Sequence, residues 1–258
     1  MKTEGLYGQI LDICKENFIS KPYVVGGVPR DITLGMAREF EDIDLTTNHP
    51  DVARLAITIA YTFDELFKLF PDGHVAVYFD KYTLDFSSNF LSEGAIEYID
   101  KELGIKDEFY HEVYSRDFTM NTLHMDIETK EITDPTGRAL EDLDKKIIKT
   151  CVPPEITISD DPKRAFRAIS FAARFGFDLD PELVSFIKEN RNNFKTDGPL
   201  FVKPTSISKV IARALKASPE VTLKHLMDMD LLTSVPLVGR FKDELIKRRL
   251  IKYYLDNI

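Results

Sequence analysis

Asp42 and Asp44 flank Ile43 in the run Glu41-Asp42-Ile43-Asp44-Leu45-Thr46. On an extended chain, residues two apart share a face, so the two carboxylates project together. They repel each other, and a divalent cation between them resolves the repulsion. Mg²⁺ suits the position because it favours carboxylate and phosphate oxygens. The same pattern also suits an exposed acidic edge strand. Upstream, Val24-Val25-Gly26-Gly27-Val28-Pro29-Arg30-Asp31 reads as a strand ending in two glycines. Such a backbone approaches a ligand closely, its amides at the start of a helix suit a phosphate, and Arg30 adds a cation. The same dipeptide also serves as a plain turn. A third candidate is Asp161 with Arg164. Near a helix start, residues three apart lie on one face. A carboxylate accepts from an exocyclic base amine and a guanidinium donates to a ring nitrogen or carbonyl, so the pair could read the Watson–Crick edge of C or A. A helix-capping Asp paired with Arg has the same spacing.

Asp42 lies 15 residues beyond Gly27, on a separate strand. Gly-Gly followed at that distance by acid-x-acid resembles the signature of the nucleotidyltransferase β superfamily. Ser115-Arg116-Asp117-Phe118-Thr119-Met120-Asn121 resembles the Arg-Arg-Asp-Phe-Thr-x-Asn motif of class II tRNA nucleotidyltransferases (CCA-adding enzymes) and bacterial poly(A) polymerases. Asp134-Pro135-Thr136-Gly137, with Glu141-Asp142-Leu143 after it, is similar to the Asp-Pro-x-Gly turn of that family. Asp160-Asp161-Pro162-Lys163-Arg164, running on through Arg167 to Phe177, is similar to its Glu-Asp-x-x-Arg motif and following helix.

The resemblance implies a set of roles. Asp42 and Asp44 are the catalytic carboxylates and hold Mg²⁺, as two ions. Gly26, Gly27 and Arg30 hold the triphosphate. Arg116, Asp117 and Asn121 lie by the ribose and phosphates, with Asp117 also placed to cap the helix there. Asp161, Arg164 and Arg167 recognise the base. Asp85 stands as a third carboxylate that helps position the attacking hydroxyl. The implied reaction is template-independent transfer of CMP or AMP from CTP or ATP to an RNA 3′ end, above all tRNA. Addition of poly(A), of A alone or of CC alone is the nearest alternative. A non-catalytic RNA- or nucleotide-binding derivative, and a transferase with a small-molecule or protein acceptor, are readings of other classes. Pro29, Ser115, Asp160 and Arg138 depart from the family pattern, and an acidic stretch with Glu93, Glu97, Asp100, Glu102, Asp107 and Glu108 replaces a basic one.

These residues need elements to carry them. Leu6, Ile10, Ile13 and Cys14 give helical spacing over the first 20 residues. Tyr23–Val25 and 41–47 read as strands, a helix follows from Pro29, and another runs from Pro50 to about Leu69. Val75–Phe79 and Tyr82–Phe86 read as a hairpin. Phe118–Leu123 looks helical, while His124–Ile127 and Ile147–Thr150 look extended. Beyond Pro162 the pattern is helical throughout. The expected fold is α+β: a nucleotidyltransferase head over 1–150 with a small mixed sheet flanked by helices, an all-helical neck over 151–198 and a short helical body over 199–258.

Composition bounds the rest. The 258 residues are 43% hydrophobic, enough for a sizeable core. No apolar run approaches the roughly 18–20 residues of a membrane span. Met1-Lys2-Thr3-Glu4-Gly5 carries no apolar segment, so a signal peptide is not expected. Two distant cysteines exclude a disulfide framework and favour a reducing cytoplasm. Residues 1–150 hold 16 Lys and Arg against 29 Asp and Glu, a net of −13, whereas 199–258 hold 11 against 6, a net of +5. Metal-binding carboxylates in front and a polyanion contact behind fit this division, as do two solvated surfaces. Lys247, Arg248, Arg249 and Lys252 form a basic helix expected to contact RNA phosphates. A homodimer would bring in a second one.

Overall fold

The computed structural model describes residues 3–36, 40–47, 51–71, 73–86, 92–195 and 198–231. The chain divides into two compact units, 1–141 and 142–258.

The first unit opens with helix α1 (Thr3–Asn17), strand β1 (Tyr23–Val25), helix α2 (Gly27–Thr33), strand β2 (Asp42–Thr46) and helix α3 (Asp51–Phe63). Three strands follow: β3 (Leu66–Leu69), β4 (Val75–Tyr78) and β5 (Thr83–Phe86). Helix α4 (Glu93–Tyr98) runs into one π-helical turn, then come α5 (Glu108–Ser115), a 3₁₀ turn over Thr119–Asn121, and strands β6 (His124–Asp126) and β7 (Ile132–Thr133). The strands form one sheet in the order β3-β4-β5-β2-β1-β6-β7. Only β2 and β5 run parallel; the other neighbours are antiparallel.

The sheet has two chemically distinct faces. Alternation along β2 buries Ile43 and Leu45 and leaves Asp42 exposed and Asp44 half-buried. Alternation along β5 buries Leu84 and Phe86 and leaves Asp85 half-buried. Val24, Ile43, Leu45, Val75, Val77, Leu84 and Phe86 cluster with Ile10 of α1 and with Leu55 and Ile59 of α3. These ten side chains hold together the strands whose other face carries Asp42, Asp44 and Asp85.

The helix expected to reach Leu69 stops at Phe63. Asp64 adopts φ 54°, a left-handed turn that an α-helix cannot continue, and the Glu65 N–H closes back on the Ala60 carbonyl at 2.9 Å. The chain then leaves as β3, an edge strand whose four residues are all exposed. That explains why its pattern shows no buried alternation.

In the second unit, α6 (Ala139–Asp144) crosses the boundary, and β8 (Ile147–Ile148), α7 (Pro154–Asp160), α8 (Lys163–Phe175), β9 (Asp178–Leu179), α9 (Pro181–Glu189), α10 (Pro204–Ala217) and α11 (Pro219–Asp228) follow. β8 pairs in parallel with β9, so Ile147 and Ile148, expected to end the head, lie in the second unit. This unit is otherwise helical among the described residues. Helix α8 buries Ala165, Phe166, Ala168, Ile169, Ala172 and Ala173, and packs against α10 and α11. Lys247, Arg248, Arg249 and Lys252 lie outside the described residues.

Candidate active site

The register of β2 assembles the site. Asp44 is paired with Val25 of β1 on one side and with Asp85 of β5 on the other. Asp42 is paired with Thr83. Registered partners project to one side of a sheet, so Asp42, Asp44 and Asp85 share the face opposite the apolar core. Adjacent strands put Asp44 and Asp85 about 4.8 Å apart at their backbones.

Gly26 ends β1 beside this cluster, at φ 70°. A Cβ at Gly26 would stand 2.7 Å from Asp44 Oδ2 and 3.6 Å from Arg116 Nη1. Glycine is therefore required twice, for its backbone angle and for the space the Asp44 carboxylate fills. Gly26 thus abuts Asp44 directly, which the sequence spacing alone could not state.

Arg116 follows α5 and is buried. Its guanidinium contacts Glu112 Oε1 one turn back and donates to the Asn121 carbonyl at 3.5 Å. Burial would depress its pKa, but Glu112, Asp44 and Asp117 reverse the effect and hold it charged. Asp117 Oδ1 accepts from the Phe118 N–H at 2.9 Å and from Asn121 Nδ2 at 2.8 Å. Asn121 Oδ1 in turn accepts from Arg30 Nη1 at 2.6 Å. Arg30 is only 3% exposed and also donates to Asp31 Oδ1, at 2.9 Å from Nε and 2.7 Å from Nη2. Arg30 is therefore built into the wall of the site, where it joins α2 to the Asp117–Asn121 segment.

Three residues of this neighbourhood carried no expectation. Glu112 partners Arg116, and its position four residues earlier on a helix was the available signal. His124 is paired with Val25 on the same sheet face. Its Nδ1 donates to the Thr122 carbonyl at 2.9 Å, and its Nε2 lies 3.8 Å from Glu112 Oε2. Burial pushes this imidazole down to about 4, with Glu112 opposing and Arg116 assisting. His74 meets Asp85 across the β4–β5 hairpin, with Nε2 to Oδ1 at 3.0 Å. No local spacing announces that contact.

Asp134 has a structural task. Its Oδ1 accepts from the Thr136 N–H at 3.1 Å and hydroxyl at 2.9 Å, and its Oδ2 from the Leu140 N–H at 3.0 Å, which starts α6. In the second unit, Asp161 lies between α7 and α8. Its Oδ1 accepts from the Lys163 N–H at 3.1 Å, and its carbonyl accepts from the Arg164 N–H at 3.0 Å. The Arg164 guanidinium contacts the Thr157 hydroxyl, and Arg167 stands over the Phe171 ring at 5.8 Å. Asp161 and Arg164 are both half-buried.

Among the described residues, no group of three or more His, Cys, Asp and Glu side chains is arranged as a metal site. A Mg²⁺ ion asks for less: it keeps several waters and takes one or two carboxylates plus substrate phosphates. The outward-facing Asp42 and Asp44 fit that donor set. No described helix is long and apolar enough to cross a membrane.

Comparison with known proteins agrees with this geometry. The poly A polymerase head domain family matches residues 22–149. A tRNA nucleotidyltransferase of Schizosaccharomyces pombe is 31% identical over 188 residues, covering 64% of this chain and 38% of that protein. A CCA-adding enzyme of a Geobacillus species is 32% identical over 184 residues, covering 65% and 40%. The chain thus spans about two fifths of the length of these curated relatives. The Thermotoga maritima CCA-adding enzyme, solved with tRNA, superposes with a TM-score of 0.67 at 18% identity, over 98% of this chain and 58% of that one. This last likeness is one of fold. With the Gly-Gly turn, the acidic pair and the Arg116–Asn121 segment gathered at one sheet, residues 22–149 belong to the poly A polymerase head domain family, and the chain is similar to tRNA nucleotidyltransferases over a wider span.

Proposed function

We propose that this chain transfers CMP and AMP from CTP and ATP to the 3′ end of RNA, with a tRNA lacking part of its CCA end as the substrate. The observation that carries the reading is the register of β2, which sets Asp42 and Asp44 on one sheet face opposite the core, with Asp44 against Gly26. Asp42 and Asp44 would hold Mg²⁺ as two ions, which when bound lowers the pKa of the attacking hydroxyl and stabilises the triphosphate charge. The acceptor 3′-oxygen bonds to the α-phosphorus, the bond to the bridging oxygen breaks, and pyrophosphate leaves. Gly26 and Gly27 let the triphosphate approach the backbone. Arg116 supplies the cation beside Asp44. Asp117 and Asn121 orient the ribose, and Arg30 acts through Asn121. Asp161, Arg164 and Arg167 select the base from the neck, residues 151–198, while 199–258 serve as a body that grips RNA. Lys247, Arg248, Arg249 and Lys252 belong to that grip.

A product of CC alone has a specific motive, since a CC-adding tRNA nucleotidyltransferase of Halalkalibacterium halodurans is 29% identical over 64% of this chain. Cys14 and Cys151 are both buried thiols outside any disulfide, which suits work in a reducing cytoplasm. The test is a 3′-end assay with Mg²⁺, using tRNAs that end before the first C, after the second C, or with CCA complete. Each is given labelled CTP or ATP alone. Incorporation of C, C and A in register supports the proposal. CC alone, A alone or an unbounded A tract reassigns the product. No incorporation into any RNA overturns it. Repeating the assay across protein concentration reads whether a homodimer is the working unit.

A further inference from the structure

His74 immediately precedes β4 and lies two residues from Ala76, which is paired with Asp85. That alternation puts His74 on the carboxylate face while Val75 and Val77 enter the core. Its Nε2 is 3.0 Å from Asp85 Oδ1, and a carboxylate oxygen can only accept from the ring N–H. The imidazole is held from behind. Phe70 stacks on it at 4.6 Å with 14° between the planes, and Lys68 Nζ stands over the Phe70 ring at 4.5 Å. The Phe70 N–H donates to the His74 carbonyl at 2.8 Å, so the same residue fixes ring and backbone. Asp85 itself is half-buried and is paired in register with Asp44.

We propose that His74 is a positioning residue for the acceptor: by fastening Asp85 Oδ1 it aims Oδ2 at the RNA 3′-hydroxyl, beside the phosphate held at Asp42 and Asp44. Three carboxylates share this face, and among the described residues Asp85 is the one with a histidine clamped onto it. A carboxylate fixed at one oxygen loses the freedom to rotate away from a hydroxyl that must be oriented for in-line attack. The inference rests on the nucleotidyl-transfer reading above, and it assigns the β3–β4 hairpin to the acceptor subsite.

The experiment uses the full chain with a tRNA lacking only the terminal A, labelled ATP and Mg²⁺. His74→Phe should lower kcat by about 10- to 100-fold with the KM for ATP within about twofold, since nucleotide contacts are untouched. His74→Gln places an amide N–H near the former Nε2 and should recover most of the loss. Asp85→Asn should fall at least as far as His74→Phe, and the double variant no further than Asp85→Asn alone. Thermal melting and ATP binding of each variant separate misfolding from mispositioning. Wild-type turnover in folded His74→Phe, a loss confined to KM, or a Gln variant as slow as Phe overturns the role of His74 while leaving the transferase reading intact. An inert wild type overturns that reading, and the role of His74 with it.

Discussion

Arg30 Nη1 and Asn121 Oδ1 meet at 2.6 Å, although 91 residues separate them in the chain. The contact ties the helix after the Gly-Gly turn to the segment carrying Arg116 and Asp117. Asn121→Ala should therefore cost stability as well as activity. It leaves a buried guanidinium and a buried carboxylate each short of a partner, worth about 1–3 kcal/mol apiece. Chemical denaturation reads the loss, and the KM for CTP and ATP should rise with it.

Asp42→Ala and Asp44→Ala should each abolish incorporation, by about a thousandfold or more, if these carboxylates hold the divalent ions. The melting temperature of Asp42→Ala should stay near wild type because that side chain is exposed, whereas Asp44→Ala also removes a negative neighbour of buried Arg116 and should melt lower. Labelled incorporation with and without Mg²⁺, set beside calorimetric melting, tests both halves of the statement. Full incorporation by Asp42→Ala would remove the metal assignment.

Gly26→Ala should fail on two counts. The residue sits at φ 70° and ψ −121°, a sparsely populated region that costs a non-glycine residue about 1–3 kcal/mol. Its methyl group would also press on Asp44 Oδ2. A lowered melting temperature together with at least a tenfold loss of turnover is expected. Gly27→Ala offers a control for stability alone, since within 4 Å a Cβ there meets the far end of Arg30 at 3.4 Å, and any loss of turnover in it reports on the approach of the triphosphate.

His124 makes stability depend on acid. Its folded pKa is lowered from 6.5 to about 4 by burial, so between those values the unfolded chain binds a proton that the folded chain does not. Stability should be complete above pH 6.5 and fall as pH drops toward 4, by at most about 3 kcal/mol. His124→Gln should flatten the slope of unfolding free energy over that interval.

Arg164→Ala should relax the choice between CTP and ATP more than it lowers total incorporation. The discriminating quantity is the ratio of kcat/KM for the two nucleotides on one acceptor. A ratio equal to wild type would assign Arg164 to helix packing through Thr157 instead.

Much of the site was legible because it is written in short periods. The acid-x-acid pair falls within one strand, where spacing fixes the face, and the Gly-Gly dipeptide and the Arg116–Asn121 run are each short and local in the chain. What was not legible depends on pairing between elements. Arg30 reads in the sequence as a cation for the triphosphate, and nothing nearby announces its contact with Asn121 or its burial beside Asp31. His74 and Asp85 meet only once the hairpin has closed. Strand β3 escaped notice because an edge strand with every side chain exposed has no apolar alternation, and the turn at Asp64 has neither Gly nor Pro to mark it.

Strand β2 divides alternate residues between two faces: Ile43 and Leu45 in the core, Asp42 and Asp44 on the side where the proposed chemistry takes place. The consequence is modularity at single-residue resolution. A substitution at exposed Asp42 leaves the core face untouched, so on the proposed reading an inert descendant is one residue change away and would fold as its parent does. Asp44 is less separable, because it also faces the buried guanidinium of Arg116.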